Sequence, residues 1–173
     1  MGFSDYEYGI FSVAHFSNAM VIKQSSKKIT SVSIDSRNVS ALSLFVALKG
    51  LNVDGHKYIL DAIDNGSSAI MVDKNHAREA LSMTATKDVG ILVVEDTLLG
   101  LQKLAKNYIK QFPKINYTTI TGSCGKSTTK QALAALLSTQ GNTVLTPGNL
   151  NSEIGLALSH LNVDSSTEFG VFE

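Results

Sequence analysis

Two glycines, a lysine and several hydroxyl side chains stand close together in Ile120-Thr121-Gly122-Ser123-Cys124-Gly125-Lys126-Ser127-Thr128. A glycine-rich turn of this kind, set between a strand and a helix N-terminus, is a cradle for phosphate. Its amides and the first amides of the helix converge on one point, and the helix dipole favours an anion there. In such a cradle Lys126 supplies a cation for the β- and γ-phosphates of a nucleotide, and the Ser127 hydroxyl a ligand for Mg²⁺. Thr121, Ser123, Cys124 and Thr128 complete the loop, while Gly122 and Gly125 allow the close backbone approach that a Cβ would block. The commoner phosphate loop, G-x-x-x-x-G-K-[ST], would have glycine where Ile120 stands; the spacing here is the shorter T-G-x-x-G-K-S. The plainer alternative is a Gly/Ser turn that caps a helix, with Lys126 solvated. Strand, turn, Gly-Lys-Ser and helix in the required order favour phosphate.

Other residues offer related chemistry. Glu173 closes the strand candidate Phe169-Gly170-Val171-Phe172, and the end of a parallel strand is where doubly wound sheets gather their ligands. The alternative is a carboxylate with no role. Asn149 and Asn151 offer amide groups beside the phosphates, or are simply turn residues after Pro147-Gly148. Ser36 and Arg37 follow a strand end; arginine pairs bidentately with phosphate oxygens, or here with Asp35 in a surface ion pair. Lys49 is a further cation of the same kind. Cys124 reads as loop filler rather than a catalytic group. His15, His56, His76 and His160 show no metal-ligand spacing, and His56 reads as a solvated helix-start residue or a substrate contact.

The elements that must position these groups alternate along the chain. Asn116 to Ile120 reads as the strand before the loop; after it, Ala132, Leu133, Leu136 and Leu137 recur at spacings of three and four and predict one helix face. Upstream, Phe11, Ala14, His15 and Asn18 suggest a short helix, and Lys23 to Lys28 a loop. Thr30 to Asp35 alternates as a half-buried strand does; Leu44 to Leu48, Ser68 to Val72 and Ile91 to Val94 are apolar runs of strand length. Tyr58, Ile59, Ala62 and Ile63 mark a helix face ending at Gly66, and Ala77 to Met83 a short helix. Leu98, Leu101, Leu104, Ala105, Tyr108, Ile109 and Phe112 form a long helical stripe that Pro113 stops. Thr143 to Leu145 and Phe169 to Glu173 read as strands around a helix over Ile154 to Leu161, capped by Ser152. The class is α/β. A boundary near Phe112 to Lys114 is expected to separate a unit over 1–113 from a second over 114–173. In the second, uncovered sheet faces and open edges predict loose order or self-association.

Composition narrows the class further. Among 173 residues, 15 Lys and Arg balance 15 Asp and Glu without a basic run, which argues against nucleic-acid binding. No apolar run approaches the roughly 18–20 residues that span a bilayer. Asp5 and Glu7 replace a signal peptide's basic start. A single cysteine cannot form an internal disulfide, which fits a reducing compartment. A cytoplasmic protein is expected.

Three stretches together resemble the Mur ligases, which build the peptide of bacterial peptidoglycan. Residues 120–128 resemble their ATP-binding signature. Asp35-Ser36-Arg37, followed by Leu44-Phe-Val-Ala-Leu-Lys-Gly50, resembles the N-terminal substrate domain of two members: the ligase adding the third amino acid and the one adding D-alanyl-D-alanine. Asp54-Gly55-His56-Lys57-Tyr58 with Ala62-Ile63 leans towards the former. Thr146-Pro-Gly-Asn-Leu-Asn-Ser-Glu-Ile-Gly155 resembles the latter and carries more weight. The resemblance implies a small N-terminal α/β substrate domain, then the first part of a parallel-sheet phosphate-loop ATPase domain. It implies ATP and Mg²⁺ as cofactors, and UDP-N-acetylmuramoyl-tripeptide and D-alanyl-D-alanine as substrates joined through an acyl phosphate. Ser36, Arg37 and Lys49 would meet the UDP substrate, Ser127 and Glu173 the metal, and Lys126 the phosphates. Family members run well past the position of Glu173, through the rest of that domain, a later carbamylated lysine and a C-terminal domain, so the chain alone is expected to be inactive. A non-catalytic nucleotide-binding module is the alternative of another class.

Overall fold

The computed structural model describes residues 7–50, 52–148 and 152–173. Five strands form the first sheet: β1 (Met20–Lys23), β2 (Ser31–Ser33), β3 (Ser43–Val46), β4 (Ser67–Asp73) and β5 (Gly90–Val94), in the order β1-β5-β4-β3-β2. β2 to β5 run parallel, and β1 adds antiparallel to the β5 edge. The central strands read as continuous apolar runs because both faces are covered. Leu44, Val46, Met71, Leu92 and Val94 turn to one face, under α1 (Ile10–Ser17) and α4 (Thr97–Ile109). The alternate residues Phe45, Ile70, Val72, Ile91 and Val93 turn to the other, against α2 (Ile59–Asp64) and α3 (Ala77–Met83).

β1 departs from the expected loop that begins at Lys23. Asn18, in the left-handed region at φ 56°, turns the chain out of α1 and into the strand. Lys23 is tolerated at its end because its Nζ donates to the carbonyls of Thr84 and Lys87 just past α3, the latter at 2.6 Å. Its pairing with β5, about 70 residues away in sequence, is what makes it a strand.

Three further strands, β6 (Asn116–Thr119), β7 (Thr143–Leu145) and β8 (Phe169–Phe172), form a parallel sheet in the order β6-β8-β7. α5 (Lys126–Leu137) connects β6 to β7, and α6 (Glu153–His160), capped by the Ser152 hydroxyl, leads towards β8. Phe172 points towards α6, where the His160 ring meets it edge-on at 4.5 Å. By strand alternation Val171 and Glu173 face α5.

One expectation is corrected here. The buried stripe of α5 contains Lys130 and Ala134, with Leu133 and Leu137 partly covered, whereas Ala132 is exposed and Leu136 is 60% exposed. A stripe read only from apolar residues is rotated away from the true one because its deepest member is a lysine. The sheet is partly covered: β8 is buried, with α5 against β7 and β8, whereas β6 is largely exposed and β7 is half-buried to exposed, as expected for open sheet surface. One apolar cluster runs from Val13 and Leu92 through Leu104 and Tyr108 to Leu158, Leu161 and Phe172.

Tyr108 joins the two sheets' layers most directly. Its ring is buried in α4, and its hydroxyl donates to the buried Val163 carbonyl at 2.6 Å. Tyr108→Phe keeps the ring but removes that donor, which should cost about 1–3 kcal/mol in denaturant unfolding. Unchanged stability would mean this bond does not hold the segment after α6 onto α4.

Candidate nucleotide and metal site

The loop after β6 fits an anion through its backbone. Gly122 (φ 151°) and Gly125 (φ 75°) take conformations in which L side chains are strained, and Gly125 is the N-cap of α5. It provides no side-chain cap, so the first amides of a 12-residue helix are left for another acceptor. Thr121, Gly122, Ser123, Cys124, Gly125 and Thr128 are exposed along this rim, and Lys126 and Ser127 are half-buried. Lys126 bends back over the loop and donates from Nζ to the Gly122 carbonyl at 2.8 Å. Its ammonium therefore bridges the loop instead of extending into solvent.

Ser127 sits one residue further into α5 and faces the end of β8. Its hydroxyl donates to the Glu173 carboxylate, 3.1 Å from Oε2 and 3.4 Å from Oε1. The Glu173 amide donates to the buried Thr146 hydroxyl at 3.2 Å, which holds the chain at the strand end. A hydroxyl and a carboxylate are hard oxygen donors, the set that suits Mg²⁺. The structure thus brings loop, Ser127 and Glu173 together. Asn149 and Asn151 lie outside the described residues.

Lys130 is the member that sequence reading missed. It is 1% exposed, and its Nζ lies 3.1 Å from Glu173 Oε2 and donates to the Gly148 carbonyl at 3.0 Å. The available signal was positional: it follows Ser127 by three and precedes Ala134 by four, on the inward stripe.

The residues expected to meet a UDP substrate lie elsewhere. Ser36 is buried, and its carbonyl accepts from Asn65 Nδ2 at 2.8 Å. The Arg37 side chain is 85% exposed and makes a bidentate pair with Asp35, Nε to Oδ1 at 2.9 Å and Nη2 to Oδ2 at 2.8 Å. The Arg37 hydrogen bonds hold the Asp35 carboxyl down at about 2, so the pair is charged at any working pH. Lys49 is exposed on a bridge to Asp54. Ser31, Ser33, Asp35 and Asn38 line a cavity of about 280 Å³ that Leu158 of α6 closes from the other side.

The histidines gave a second surprise. His56 is buried, not solvated: its Nδ1 lies 2.7 Å from Asp54 Oδ1, and its Nε2 accepts from the Asp73 amide at 3.3 Å. His76 stacks on it with ring centroids 3.7 Å apart and bonds Asp73 Oδ1 through Nδ1 at 2.8 Å. Burial alone would raise the Asp54 and Asp73 carboxyls, but hydrogen bonds from His56 and His76 respectively outweigh it and hold both below the ordinary value. Asp54, His56 and His76 each bring one ligand atom to within 4.8 Å of the others, a grouping of the size of a metal site that their spacing in the sequence did not suggest. D-x-H at 54–56 and D-x-x-H at 73–76, each aspartate capping its own short turn, were the readable signal.

Comparisons with known proteins bear on both halves. The profile described as Mur ligase family, catalytic domain, matches residues 28–109, and that described as Mur ligase middle domain matches 120–173. The chain is 42% identical over 144 residues to the UDP-N-acetylmuramoyl-tripeptide–D-alanyl-D-alanine ligase of Treponema pallidum, covering 82% of this chain and 31% of that protein. The ligase of the same name from Bacillus subtilis is 35% identical over 145 residues, covering 84% and 30%. Among solved structures, MurF from Acinetobacter baumannii superposes with TM-score 0.85 at 25% identity, over 97% of this chain and 36% of that one. MurF ligase from Thermotoga maritima in complex with ADP gives TM-score 0.69 at 35% identity, over 83% and 31%. The chain spans about a third of the length of these relatives. With both profiles matched in order and the same ligase recurring among the relatives, the chain belongs to the Mur ligase family.

Proposed function

We propose that this chain carries the UDP-substrate and nucleotide sites of an ATP-dependent ligase that joins D-alanyl-D-alanine to UDP-N-acetylmuramoyl-tripeptide. The observation that carries this reading is the meeting of an uncapped α5 N-terminus, the Ser127 hydroxyl and the Glu173 carboxylate within one site. The relatives' shared name supports the substrates, and the ADP in the Thermotoga structure supports the nucleotide. In this proposal the described residues bind and orient the nucleotide and the UDP substrate. On this reading residues 1–113 serve the UDP substrate and 114–173 begin the nucleotide domain. The protein works in the cytoplasm, where its nucleotide-linked substrates are made; no helix among the described residues is long and apolar enough to cross a membrane.

Phosphorylating a carboxylate turns a poor electrophile into a good one, and ATP with Mg²⁺ supplies that chemistry when bound. The protein's share is positioning and charge neutralisation. The amides of residues 122–128 receive phosphate oxygens, with Thr121, Ser123, Cys124 and Thr128 lining the rim. Lys126 exchanges the Gly122 carbonyl for phosphate, and Ser127 and Glu173 hold the metal. Arg37, already fixed by Asp35, presents its outer edge to the diphosphate of the UDP substrate, and Ser36 and Lys49 serve the same substrate.

Lys126→Ala should lower Mg·ADP affinity by at least tenfold, about the 1.4 kcal/mol lower bound for a charge-assisted hydrogen bond, with the melting temperature little changed. Calorimetry that finds equal affinity would remove the phosphate-loop assignment. Arg37→Ala should weaken binding of the UDP-linked tripeptide and leave Mg·ADP untouched; lost stability with unchanged substrate affinity would make the ion pair merely structural. Self-association, if the sheet of β6 to β8 is extended by a second copy, would use the exposed outer edge of β6. Sedimentation should then show dimers that Thr119→Pro, placed at an amide directed away from β8, abolishes, and a monomer at all concentrations would exclude it.

A further inference from the structure

Lys130 has no task in the reading above, yet it is among the most deeply buried side chains of the molecule. Removing an ammonium group from water is costly unless a charge and hydrogen bonds replace the water. Here the replacement is Glu173, the carboxylate assigned to the metal, at 3.1 Å with the two side chains 1% and 3% exposed. The second partner is the Gly148 carbonyl at 3.0 Å, immediately before residues 149–151. Ser127 and Lys130 lie one helical turn apart and converge on the same carboxylate.

We infer that Lys130 is the resident counter-cation of Glu173: it holds the carboxylate in place before a divalent ion arrives, and it competes with that ion for the same negative charge. This rests on Glu173 being a metal ligand. Lys130 is a positioning residue, acting through Glu173 and, by its bond to Gly148, on the approach to residues 149–151. Its charge makes the carboxylate stable without metal, and the same charge weakens the metal's hold through like-charge repulsion at short range.

The test compares the 173-residue chain with Lys130→Met, Lys130→Arg, Glu173→Gln and the double variant Lys130→Met/Glu173→Gln. Melting temperature is read in EDTA and in millimolar MnCl₂, and bound Mn²⁺ is counted by electron paramagnetic resonance. Lys130→Met removes the ammonium that faces a buried carboxylate, so it should melt about 5 °C or more below the parent in EDTA. Mn²⁺ should restore most of that loss while shifting the parent far less, and should bind on the order of tenfold more tightly to the variant. Should Lys130→Met not fold in EDTA, Mn²⁺ should rescue its folding. Lys130→Arg should keep the parent's indifference to metal, and the double variant should regain stability with no response to Mn²⁺. A Lys130→Met protein that Mn²⁺ does not restore, or that binds Mn²⁺ no better than the parent, would overturn the inference while leaving the metal site standing. Mn²⁺ binding that survives Glu173→Gln would instead remove the metal site, and this inference with it.

Discussion

Taking a carboxylate out of water demands that something else satisfy it. At the end of β8 the protein meets that demand for Glu173 with a hydroxyl and an ammonium from successive turns of one helix. Much of the second half follows from this arrangement. α5 must lie with Ser127 and Lys130 inward, which directs its N-terminus and the loop of Gly122 and Gly125 at the same point. β8 must be central, between β6 and β7, so that its end is shielded on both sides. Gly148 must bring its carbonyl to Lys130, which holds the segment just after β7 against α5. A candidate phosphate cradle, a candidate metal ligand and their support are therefore one packing problem with one solution.

The first half depends on a different constraint, the sharing of α4. Its inner face lies on the first sheet, and another side of it meets α6. Tyr108 reaches past α6 to the Val163 carbonyl, and Phe112 and Ile115 carry the same apolar cluster towards β6. The cavity between Asp35 and Leu158 lies on this seam, so the strand end bearing Arg37 and the helix following residues 149–151 are held in one framework.

What the residues revealed in advance depended on how their environment wrote itself into local pattern. Leu44 to Leu48, Ser68 to Val72 and Ile91 to Val94 were legible because strands covered on both faces become continuous apolar runs. The α4 stripe was legible because it is long and helix-periodic. The α/β class followed, and with it the glycine turn at the N-terminus of α5, whose two glycines take positive φ. Met20 to Lys23 was not legible, since its pairing with β5 and the anchoring of Lys23 past α3 are long-range facts. Lys130 was hidden for the opposite reason: a lysine counts as surface in any periodicity tally, and only a carboxylate 43 positions later, counted from Lys130 to Glu173, makes it an interior residue. The His56–His76 stack likewise joins two Asp-capped turns that carry no common spacing.

The central claim is that the glycine loop, Ser127 and Glu173 form one site for a metal-bound nucleotide, away from Arg37. Paramagnetic broadening by Mn·ADP in a ¹H–¹⁵N spectrum of the 173-residue chain tests this with a single titration. The account predicts that amides of residues 122–128 and 171–173 vanish first, at substoichiometric Mn·ADP, while those of residues 35–38 persist. Broadening centred on residues 35–38, or on the His56–His76 stack with the loop untouched, would contradict it.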